Sequence, residues 1–487
     1  MPEAVSLNSS DLRQGSYNIT VPFIVDVDTS KQHQQIRCEE VLRLLPGKRV
    51  VCRGQINNNP VLVKLFVDRT KHRRHASRGL SGLRAMASAG CKVPDIKLEG
   101  TLSDGEGSVI GLQFLSDAKT LQSHWKDADE SVRIRLIKES LQPIARLHQS
   151  GLMQTDIHLD NFIESHQSLF CIDGGGVDIR HQGEKLPFYD RLKNLALYFA
   201  QLPSAYDVHI KAWLTVYNQV IDEKPLPLYK VLKTVTQLRL ERVSNYCRKS
   251  YRNCTEFKVR KQWRRYSVIR RDIHNAQWQQ FLDDPDRFIK TGHLLKSGHS
   301  ATVVVSDING KKVLIKRYNL KDFMHRIKRC WQPTRGWRSW GNAQMLKMLG
   351  IRTPRPLALV EERFGPLRGR AFLVTEFFKG ENILTHFFRQ DLPKEQLTKE
   401  LPEISRLFEK FMESHISHGD MKGTNLLIAH GKLTVIDLDS MSQHHQVRSF
   451  RRAFDKDIKR FMKNWQANDA LYDQFKKRLL PVLHQKI

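Results

Sequence analysis

Two segments of the chain carry the same three polar residues at the same spacing. The two sets are Asp156, Asn161 and Asp173, and Asp420, Asn425 and Asp437. An apolar run containing a lysine lies upstream of each set, with Lys64 in VLVKLF and Lys316 in VLIKRYN. Phosphoryl transfer from ATP needs these groups: a lysine on the nucleotide phosphates, two metal-holding side chains and a carboxylate beside the acceptor hydroxyl.

The later set supplies a residue for each of these roles. Lys316 is expected to bind the phosphates of ATP, and Asp420 to orient or deprotonate the acceptor hydroxyl. Asn425 and Asp437 are expected to hold Mg²⁺, which prefers oxygen ligands. Lys422, two positions after Asp420, would neutralise charge on the phosphoryl group as it moves.

The earlier set repeats the pattern with one weaker member. Its corresponding residues are Lys64, Asp156, Asn161 and Asp173. His158 stands where the later set has Lys422, and a histidine is only partly charged near neutral pH. We therefore expect the later set, which also includes His418, to be the catalytic one, and the earlier set to have weak or separate activity. Either aspartate motif taken alone could instead be an ordinary turn or helix cap.

The surrounding sequence predicts the elements that position both sets. A polar turn leads into a short apolar strand, Ser168–Ile172 or Leu433–Ile436, which ends at the second aspartate. Apolar residues at helical spacing upstream, in Ile134–His148 and Ile404–His415, predict a helix that packs beneath each turn.

Glycines before each lysine predict a loop that covers the phosphates. In LLKSGHSATVVV, Gly298 lies between two β-rich stretches and would let the backbone turn closely over a phosphate. The earlier counterpart, LLPGKRVVCRG, offers Gly47 and Gly54 with less clear flanking strands. Gly298 could alternatively be a simple hairpin turn.

Composition limits the class of protein and its partners. The chain has 487 residues and a formal charge of +29, which favours an anionic partner. It has seven cysteines without any CxxC pair, and neither a signal-like N-terminus nor an apolar run of 18 residues, so we expect a cytoplasmic protein. Between Arg239 and Asp272 there are 12 Lys or Arg and 3 Asp or Glu, interleaved with aromatic residues. This segment is either a solvated helix or a surface that stacks on RNA bases.

The motifs resemble the protein-kinase-like superfamily, and within it the bacterial lipopolysaccharide-core kinases of the Kdo/WaaP type. HGDMKGTN followed by VIDLD is similar to that family's catalytic and metal motifs, and Trp337–Glu361 to its helix leading into the hinge strand. Ala371–Phe378 would be the hinge, where the resemblance places Glu376 at the nucleotide. DIHLDNF, CIDGGG and Ala89–Pro94 are similar in outline, so the resemblance covers most of the chain twice.

The resemblance implies an α+β fold of two tandem bilobal units. Each unit would have a small antiparallel β-rich N-lobe followed by a mainly helical C-lobe. We expect a first unit at 1–235, a basic connecting segment at 236–272 and a catalytic second unit at 273–487. Neither helix after the lysine has an acidic residue to pair with it, so Asn342 or Gln344 is expected to hold Lys316.

The resemblance further implies an ATP- and Mg²⁺-dependent kinase. Its acceptor would be a sugar hydroxyl, that of heptose or Kdo in the lipopolysaccharide inner core, and the protein would work at the cytoplasmic face of the inner membrane. Residues after Asp437 read LDSM instead of FG, which favours a sugar acceptor over a protein. A pseudokinase scaffold of core assembly, a basic RNA-binding protein and a regulatory protein kinase remain as alternatives.

Overall fold

The computed structural model describes residues 4–15, 19–319, 330–389 and 391–484. Helices make up 43% and strands 28%, and the strands of both large sheets pair almost entirely antiparallel, which confirms the predicted α+β class. The chain divides into two compact units, Met1–Arg239 and Leu240–Ile487. The division falls within a single helix, Leu228–Lys249.

The strands of the first unit are β1 (Val5–Ser6), β2 (Phe23–Thr29), β3 (His33–Leu45), β4 (Arg49–Ile56), β5 (Asn59–Phe66), β6 (Ile96–Leu102), β7 (Ser108–Gln113), β8 (Lys119–Thr120), β9 (Met153–Gln154), β10 (Phe162–Ser165), β11 (Ser168–Cys171) and β12 (Val177–Asp178). Its helices are α1 (Ser9–Gln14), α2 (His72–Ser88), α3 (Leu121–Asp127), α4 (Glu130–Gln149), α5 (Phe188–Phe199), α6 (Ile210–Val220) and α7 (Leu228–Lys249), which continues into the second unit.

The second unit has strands β13 (Phe257–Lys261), β14 (Arg265–Arg270), β15 (His293–Ser297), β16 (Ala301–Ile308), β17 (Lys311–Tyr318), β18 (Pro356–Phe364), β19 (Leu367–Glu376), β20 (Glu381–Asn382), β21 (Ile416–Ser417), β22 (Leu426–Ala429), β23 (Lys432–Val435) and β24 (Ser442–Gln443). Its helices are α8 (Ala276–Asp283), α9 (Pro285–Thr291), α10 (Arg335–Met348), α11 (Ile383–Phe387), α12 (Lys394–Glu413), α13 (Val447–Lys463) and α14 (Asp469–His484).

The first unit begins with a seven-stranded sheet in the order β1-β2-β3-β4-β5-β7-β6. Strand β2 also pairs with β6, so the sheet closes on itself and leaves fewer free edges. Lys64 lies on β5, opposite Val51 of β4 and Ile110 of β7. The alternating burial of Val61, Val63 and Leu65 places those apolar residues in the core and turns Lys64 to the other face.

Helices α4 to α7 enclose the second core of the first unit. Helix α4 is capped by Asp129, whose side chain accepts a hydrogen bond from the amide of Val132, and it contains the predicted Ile134–His148. Its apolar side packs with α5 and α6 around Trp213 and Tyr217, which are at most 1% exposed. The hairpin of β10 and β11 lies over this core and ends just before Asp173.

The second unit begins with a seven-stranded sheet in the order β13-β14-β18-β19-β17-β16-β15. Lys316 lies on β17, between Val303 of β16 and Leu373 of β19. The strands 257–270 fall inside the segment that we expected to connect two units. They instead form one end of this sheet, because Phe257 and Tyr266 bury their rings in its core.

A helical core follows the sheet of the second unit. Helix α12 covers most of the predicted Ile404–His415 and ends at Glu413, and His415 takes a left-handed backbone conformation with φ 51°. Phenylalanines of α12 and α13 pack with Trp465 in a single aromatic cluster. This cluster supports the loop that carries Asp420 and the hairpin of β22 and β23 that ends before Asp437.

Candidate active site

Local backbone geometry brings Asn425 and Asp437 together in the second unit. Asn425 ends a single 3₁₀ turn, and Ile436 donates its amide hydrogen to the Asn425 carbonyl over 2.9 Å. Asp437 then adopts φ 60° and ψ 59°, a left-handed conformation that a non-glycine residue seldom takes. Such conformations cluster at functional sites, where the surrounding structure imposes them.

The side chain of Lys316 reaches across to this turn. Its Nζ donates a hydrogen bond to Asp437 Oδ1 over 2.6 Å, and the two side chains are only 17% and 31% exposed. Burial alone would lower the pKa of Lys316, but Tyr318 and Asp437 raise it above its ordinary value. Burial would likewise raise the pKa of Asp437, but the charge and hydrogen bond of Lys316 lower this pKa below its ordinary value. Both groups are therefore charged at neutral pH.

Asp420 lies at the centre of a network of cations and amides. Lys422 Nζ is 3.0 Å from Asp420 Oδ2, and Arg460 donates to Oδ1 over 2.7 Å. Asn425 Nδ2 donates to the Asp420 carbonyl over 2.9 Å and to its carboxylate over 3.2 Å. Burial works against ionisation, but these partners together lower the pKa of Asp420. The carboxylate is therefore ionised at neutral pH and is a weak base.

Two residues of α13 that our sequence analysis did not single out support this loop. Arg460 contacts Asp420, and Asp457 accepts hydrogen bonds from the backbone amides of His418 (2.5 Å) and Gly419 (3.0 Å). Burial raises the pKa of Asp457 despite these bonds. Both residues lie about forty positions after the motif. Only the amphipathic pattern of α13, which buries Asp457 at 2% exposure among phenylalanines, pointed to them.

The expected partners of Lys316 on α10 have other positions. Asn342 donates through Nδ2 to the carbonyls of Leu438 (2.7 Å) and Met441 (2.9 Å), which fixes the segment after Asp437. Gln344 is fully buried, and neither of its amide atoms has a partner among the described residues. The prediction that one of these amides holds Lys316 is wrong, because Asp437 provides the hydrogen bond.

The predicted loop at Gly298 is a hairpin turn between β15 and β16. Gly298 donates its amide hydrogen to the Ala301 carbonyl over 3.1 Å, and its own carbonyl accepts from Asn319 Nδ2 over 3.0 Å. It is not among the residues with positive φ, and an added Cβ would meet ordinary contact distances. The turn is present, but its backbone does not require a glycine.

Glu376 lies at the end of β19, beside the strand of Lys316. It pairs in register with Val313, and its carboxylate lies 3.5 Å from Arg355 Nη1. Its side chain is 46% exposed. A role for Glu376 at the nucleotide remains a prediction.

The first unit gathers its four predicted groups around an open cavity. Lys64, Asp156, Asn161 and Asp173 all line a cavity of about 470 Å³ between the sheet and the turn. Asp173 has the same left-handed conformation as Asp437, with φ 64° and ψ 58°. Asn161 Nδ2 donates to the Asp156 carbonyl over 3.0 Å, as Asn425 does to Asp420.

Lys64 and Lys316 nevertheless have different electrostatic environments. Within the described ranges, Lys64 has no carboxylate within 4.0 Å, whereas Lys316 bonds directly to Asp437. Burial lowers the pKa of Lys64; Asp173 opposes this shift, while Arg49 and Arg43 add to it. The Nε atom of Arg49 is buried without a partner among the described residues. The lining of the first cavity thus has three basic residues (Arg43, Arg49, Lys64) and three acidic ones (Asp156, Asp160, Asp173), but no described carboxylate contacts Lys64 directly.

The residues present fit a magnesium ion held jointly with phosphates. Asn425 uses its Nδ2 for Asp420, which leaves its side-chain oxygen free, and Asp437 Oδ2 is not used by Lys316. Mg²⁺ commonly takes one or two protein oxygens and completes its shell with water and substrate phosphates. In the part of the chain that the structure describes, no cluster of three or more His, Cys, Asp or Glu side chains could hold a metal without such help.

The basic segment between Arg239 and Asp272 is largely part of the second unit's core. Phe257 and Tyr266 are at most 1% exposed, and Tyr251 stacks on Trp337 with ring centroids 4.1 Å apart. Trp263 is exposed but isolated from these rings. Most of the rings pack inward, which argues against the alternative of a surface that stacks on RNA bases and agrees with our expectation that nucleic acid is an unlikely partner.

The lysine strand and the polar turn of the second unit both lie in a region that matches a known protein family. Residues 287–480 match the lipopolysaccharide kinase (Kdo/WaaP) family. The match to the Kdo/WaaP family includes Gly298, Lys316, Asp420, Asn425 and Asp437, and it supports a kinase activity that uses ATP. No curated protein matches the chain significantly. Within the described ranges, no helix is both long and apolar enough to cross a bilayer.

Proposed function

We propose that the second unit is an ATP- and Mg²⁺-dependent kinase that phosphorylates a sugar hydroxyl of the lipopolysaccharide inner core, on heptose or Kdo. One observation carries the proposal. Within the region similar to the Kdo/WaaP family, direct contacts link Lys316 to Asp437, and Asn425 to Asp420. The backbone bond from Ile436 to Asn425 joins these two pairs into one centre.

Each residue of this centre has a role that its surroundings support. Lys316 is charged and would exchange its bond to Asp437 for the nucleotide phosphates. Asp437 and Asn425 would hold Mg²⁺, which neutralises charge on the phosphates when bound. Asp420 would accept a hydrogen bond from the acceptor hydroxyl and orient it for in-line attack. Lys422, whose ammonium is 3.0 Å from Asp420, would attract the phosphoryl group as it leaves ATP.

We further propose that the two units are a tandem pair of bilobal kinase-like folds. In both units the lysine strand is the second strand of a hairpin, β4–β5 or β16–β17, and its other edge pairs with the strand two places later in the chain, β7 or β19. In both, a left-handed aspartate follows a two-stranded hairpin. The first unit would have weak or separate activity, and the boundaries at 235 and 272 remain predictions.

The proposed acceptor sets the expected location of the protein. A formal charge of +29 would attract it to core phosphates and to anionic lipid headgroups. We propose that it works peripherally at the cytoplasmic face of the inner membrane. Contact between this chain and a membrane would be electrostatic, since no described helix could span one.

A pseudokinase scaffold is the competing proposal, and one observation favours it. Lys316 and Asp437 satisfy each other in the described conformation, so the site needs no nucleotide to balance its charges. Titration of the full chain with ATP, with and without Mg²⁺, separates the two proposals. The kinase should bind ATP more tightly with Mg²⁺, whereas indifference to Mg²⁺ together with no turnover would favour the scaffold.

Incubation of the full chain with labelled ATP and phosphate-free core oligosaccharide tests the proposed reaction. We expect the label on a heptose or Kdo hydroxyl, located by mass spectrometry of the fragments. Label on added proteins but not on the sugar would favour a protein kinase instead. Label released only as inorganic phosphate would contradict the proposed acceptor.

A further inference from the structure

A second cavity of the first unit shares no lining residue with the cavity of the four predicted catalytic groups. It has a volume of about 460 Å³ and lies between α2 and the segment Val177–Arg180. Its α2 side consists of Arg74, Ser77, Arg78 and Ser81, which recur at helical spacing and form one face of the helix. Thr155 completes the opposite wall.

The charges in this cavity are not balanced. Arg180 forms an ion pair with Asp178 over 2.5 Å, and its hydrogen bonds lower the pKa of that carboxyl, so this pair is neutral overall. Arg74 and Arg78 have no ion-pair partner among the described residues. Two like charges four positions apart on a helix repel each other and weaken the helix unless another group compensates them.

Helix α2 has no acidic residue of its own that could relieve this repulsion. Its sequence HRRHASRGLSGLRAMAS contains four arginines and no Asp or Glu. The hydroxyl groups of Ser77 and Ser81 face the same cavity and have no hydrogen-bond partner in the described ranges. The guanidinium groups and these hydroxyls therefore offer N–H and O–H donors that no described acceptor uses.

The floor of the cavity is rigid, which keeps these donors in place. Gly82 packs directly on Gly174, so closely that a Cβ added at Gly82 would overlap the Gly174 carbonyl oxygen. Val177 next to it is 4% exposed and pairs with Gln154. The backbone of α2, from which the donors project, is thereby held at a fixed position relative to Val177–Arg180.

We propose that this cavity binds a phosphate monoester group. Arginine binds phosphate oxygens with two parallel N–H donors, and Arg74 and Arg78 together offer the charge that a doubly ionised phosphate needs. Ser77 and Ser81 would donate to the remaining phosphate oxygens, while the Thr155 hydroxyl, which donates to the Gly176 carbonyl over 3.0 Å, forms part of the wall. The apolar contribution of Val177 and Ile179 suits the carbon skeleton that carries the phosphate. This binding does not depend on whether the second unit transfers phosphate.

Calorimetric titration of the full chain with inorganic phosphate and with a hexose phosphate tests the site. The variant Arg74→Gln/Arg78→Gln should weaken binding of both probes about tenfold or more. The matched control, Arg448→Gln/Arg452→Gln, removes two exposed arginines at the same spacing on α13 and should leave binding unchanged. A hexuronic acid, which presents a carboxylate instead, should bind more weakly than the hexose phosphate.

A second variant blocks the cavity without removing charge. Ser81 is exposed, so Ser81→Phe should fill the cavity and abolish hexose phosphate binding while the melting temperature stays unchanged. If Arg74→Gln/Arg78→Gln and Arg448→Gln/Arg452→Gln weaken phosphate binding equally, the effect comes from the overall charge of the chain, and the proposal is overturned. Three further results would overturn the proposal. The first is that Ser81→Phe binds hexose phosphate as tightly as the unaltered chain does, the second that the unaltered chain binds none, and the third that the unaltered chain binds the hexuronic acid as tightly as the hexose phosphate.

Discussion

The two strand lysines illustrate how one residue type behaves differently in two environments. Lys316 contributes stability because Asp437 accepts its hydrogen bond at 2.6 Å. Lys64 is buried beside Arg49, with its pKa lowered mainly by burial and without a carboxylate in contact. A buried charge without a partner costs stability, whereas removal of one member of a buried pair leaves the other uncompensated.

Replacement of each lysine by methionine should therefore have opposite consequences. We expect Lys316→Met to lower the free energy of unfolding by about 1–3 kcal/mol at neutral pH. Lys64→Met should leave it unchanged or raise it, because the methyl thioether needs no solvation. Chemical denaturation of the ligand-free full chain measures both. Equal destabilisation by the two substitutions would contradict the assigned environments.

The pH dependence of the Lys316 effect follows from the two pKa shifts. The pKa of Asp437 is lowered, so its contribution is present above the ordinary value of about 3.9 and is lost as the pH falls through the lowered value. The pKa of Lys316 is raised, so its contribution is lost only as the pH rises beyond about 10.4. The destabilisation by Lys316→Met should thus be constant from about pH 5 to 9 and shrink below about pH 4.

Arg460 should set the acidic side of the activity profile. It donates a hydrogen bond to Asp420 over 2.7 Å. Burial raises the pKa of the Asp420 carboxylate, but Lys422, Asn425 and Arg460 together lower it. In Arg460→Met the pKa of Asp420 should rise, and the acidic limb of the kcat/KM profile should move to higher pH. Arg451→Met, an exposed arginine on the same helix, is the control. An unmoved limb would show that Asp420 does not govern turnover.

At the scale of elements, the contact between α2 and the turn after Asp173 is one of the tightest in the first unit. Gly82→Ala would place a methyl group on the Gly174 carbonyl and should destabilise the first unit by about 2–4 kcal/mol. Gly79→Ala on the same helix meets only Ile110 at 3.5 Å and should instead stabilise by about 0.5–1 kcal/mol. Thermal melts measure both variants. A lower melting temperature for Gly82→Ala and a higher one for Gly79→Ala would confirm the packing, whereas a Gly82→Ala chain as stable as the parent would contradict it.

The helices and strands were easier to predict from the sequence than the side-chain contacts between them. The lysine strands, the hairpins before each second aspartate and the helices beneath them follow from local apolar periodicity, and the structure has all of them. The contacts of Asn342, Arg460 and Asp457 depend on how separate helices pack, which a single sequence does not encode locally. The strands at 257–270 escaped prediction because their basic exposed side chains concealed the buried alternation of Phe257, Tyr266 and Val268.

At the scale of the whole molecule, the two units have separate cores. Trp213 and Tyr217 lie in the first, and Trp340 and Trp465 in the second. We expect calorimetry to resolve two unfolding transitions, because domains with their own cores commonly unfold as separate units. Gly82→Ala should lower one transition and Lys316→Met the other. A single transition lowered by both substitutions would show that the chain unfolds as one unit.

The central claim is that the second unit carries the kinase activity. The direct test compares phosphate transfer from ATP to phosphate-free core oligosaccharide by two matched variants of the full chain, Asp437→Asn and Asp173→Asn. Both replace a left-handed aspartate by an isosteric amide, and a thermal melt of each variant checks that it is folded at the assay temperature. We predict that Asp437→Asn loses about 100-fold or more of the transfer rate and that Asp173→Asn stays within about twofold of the parent. Loss of transfer in Asp173→Asn with retention in Asp437→Asn would contradict the claim.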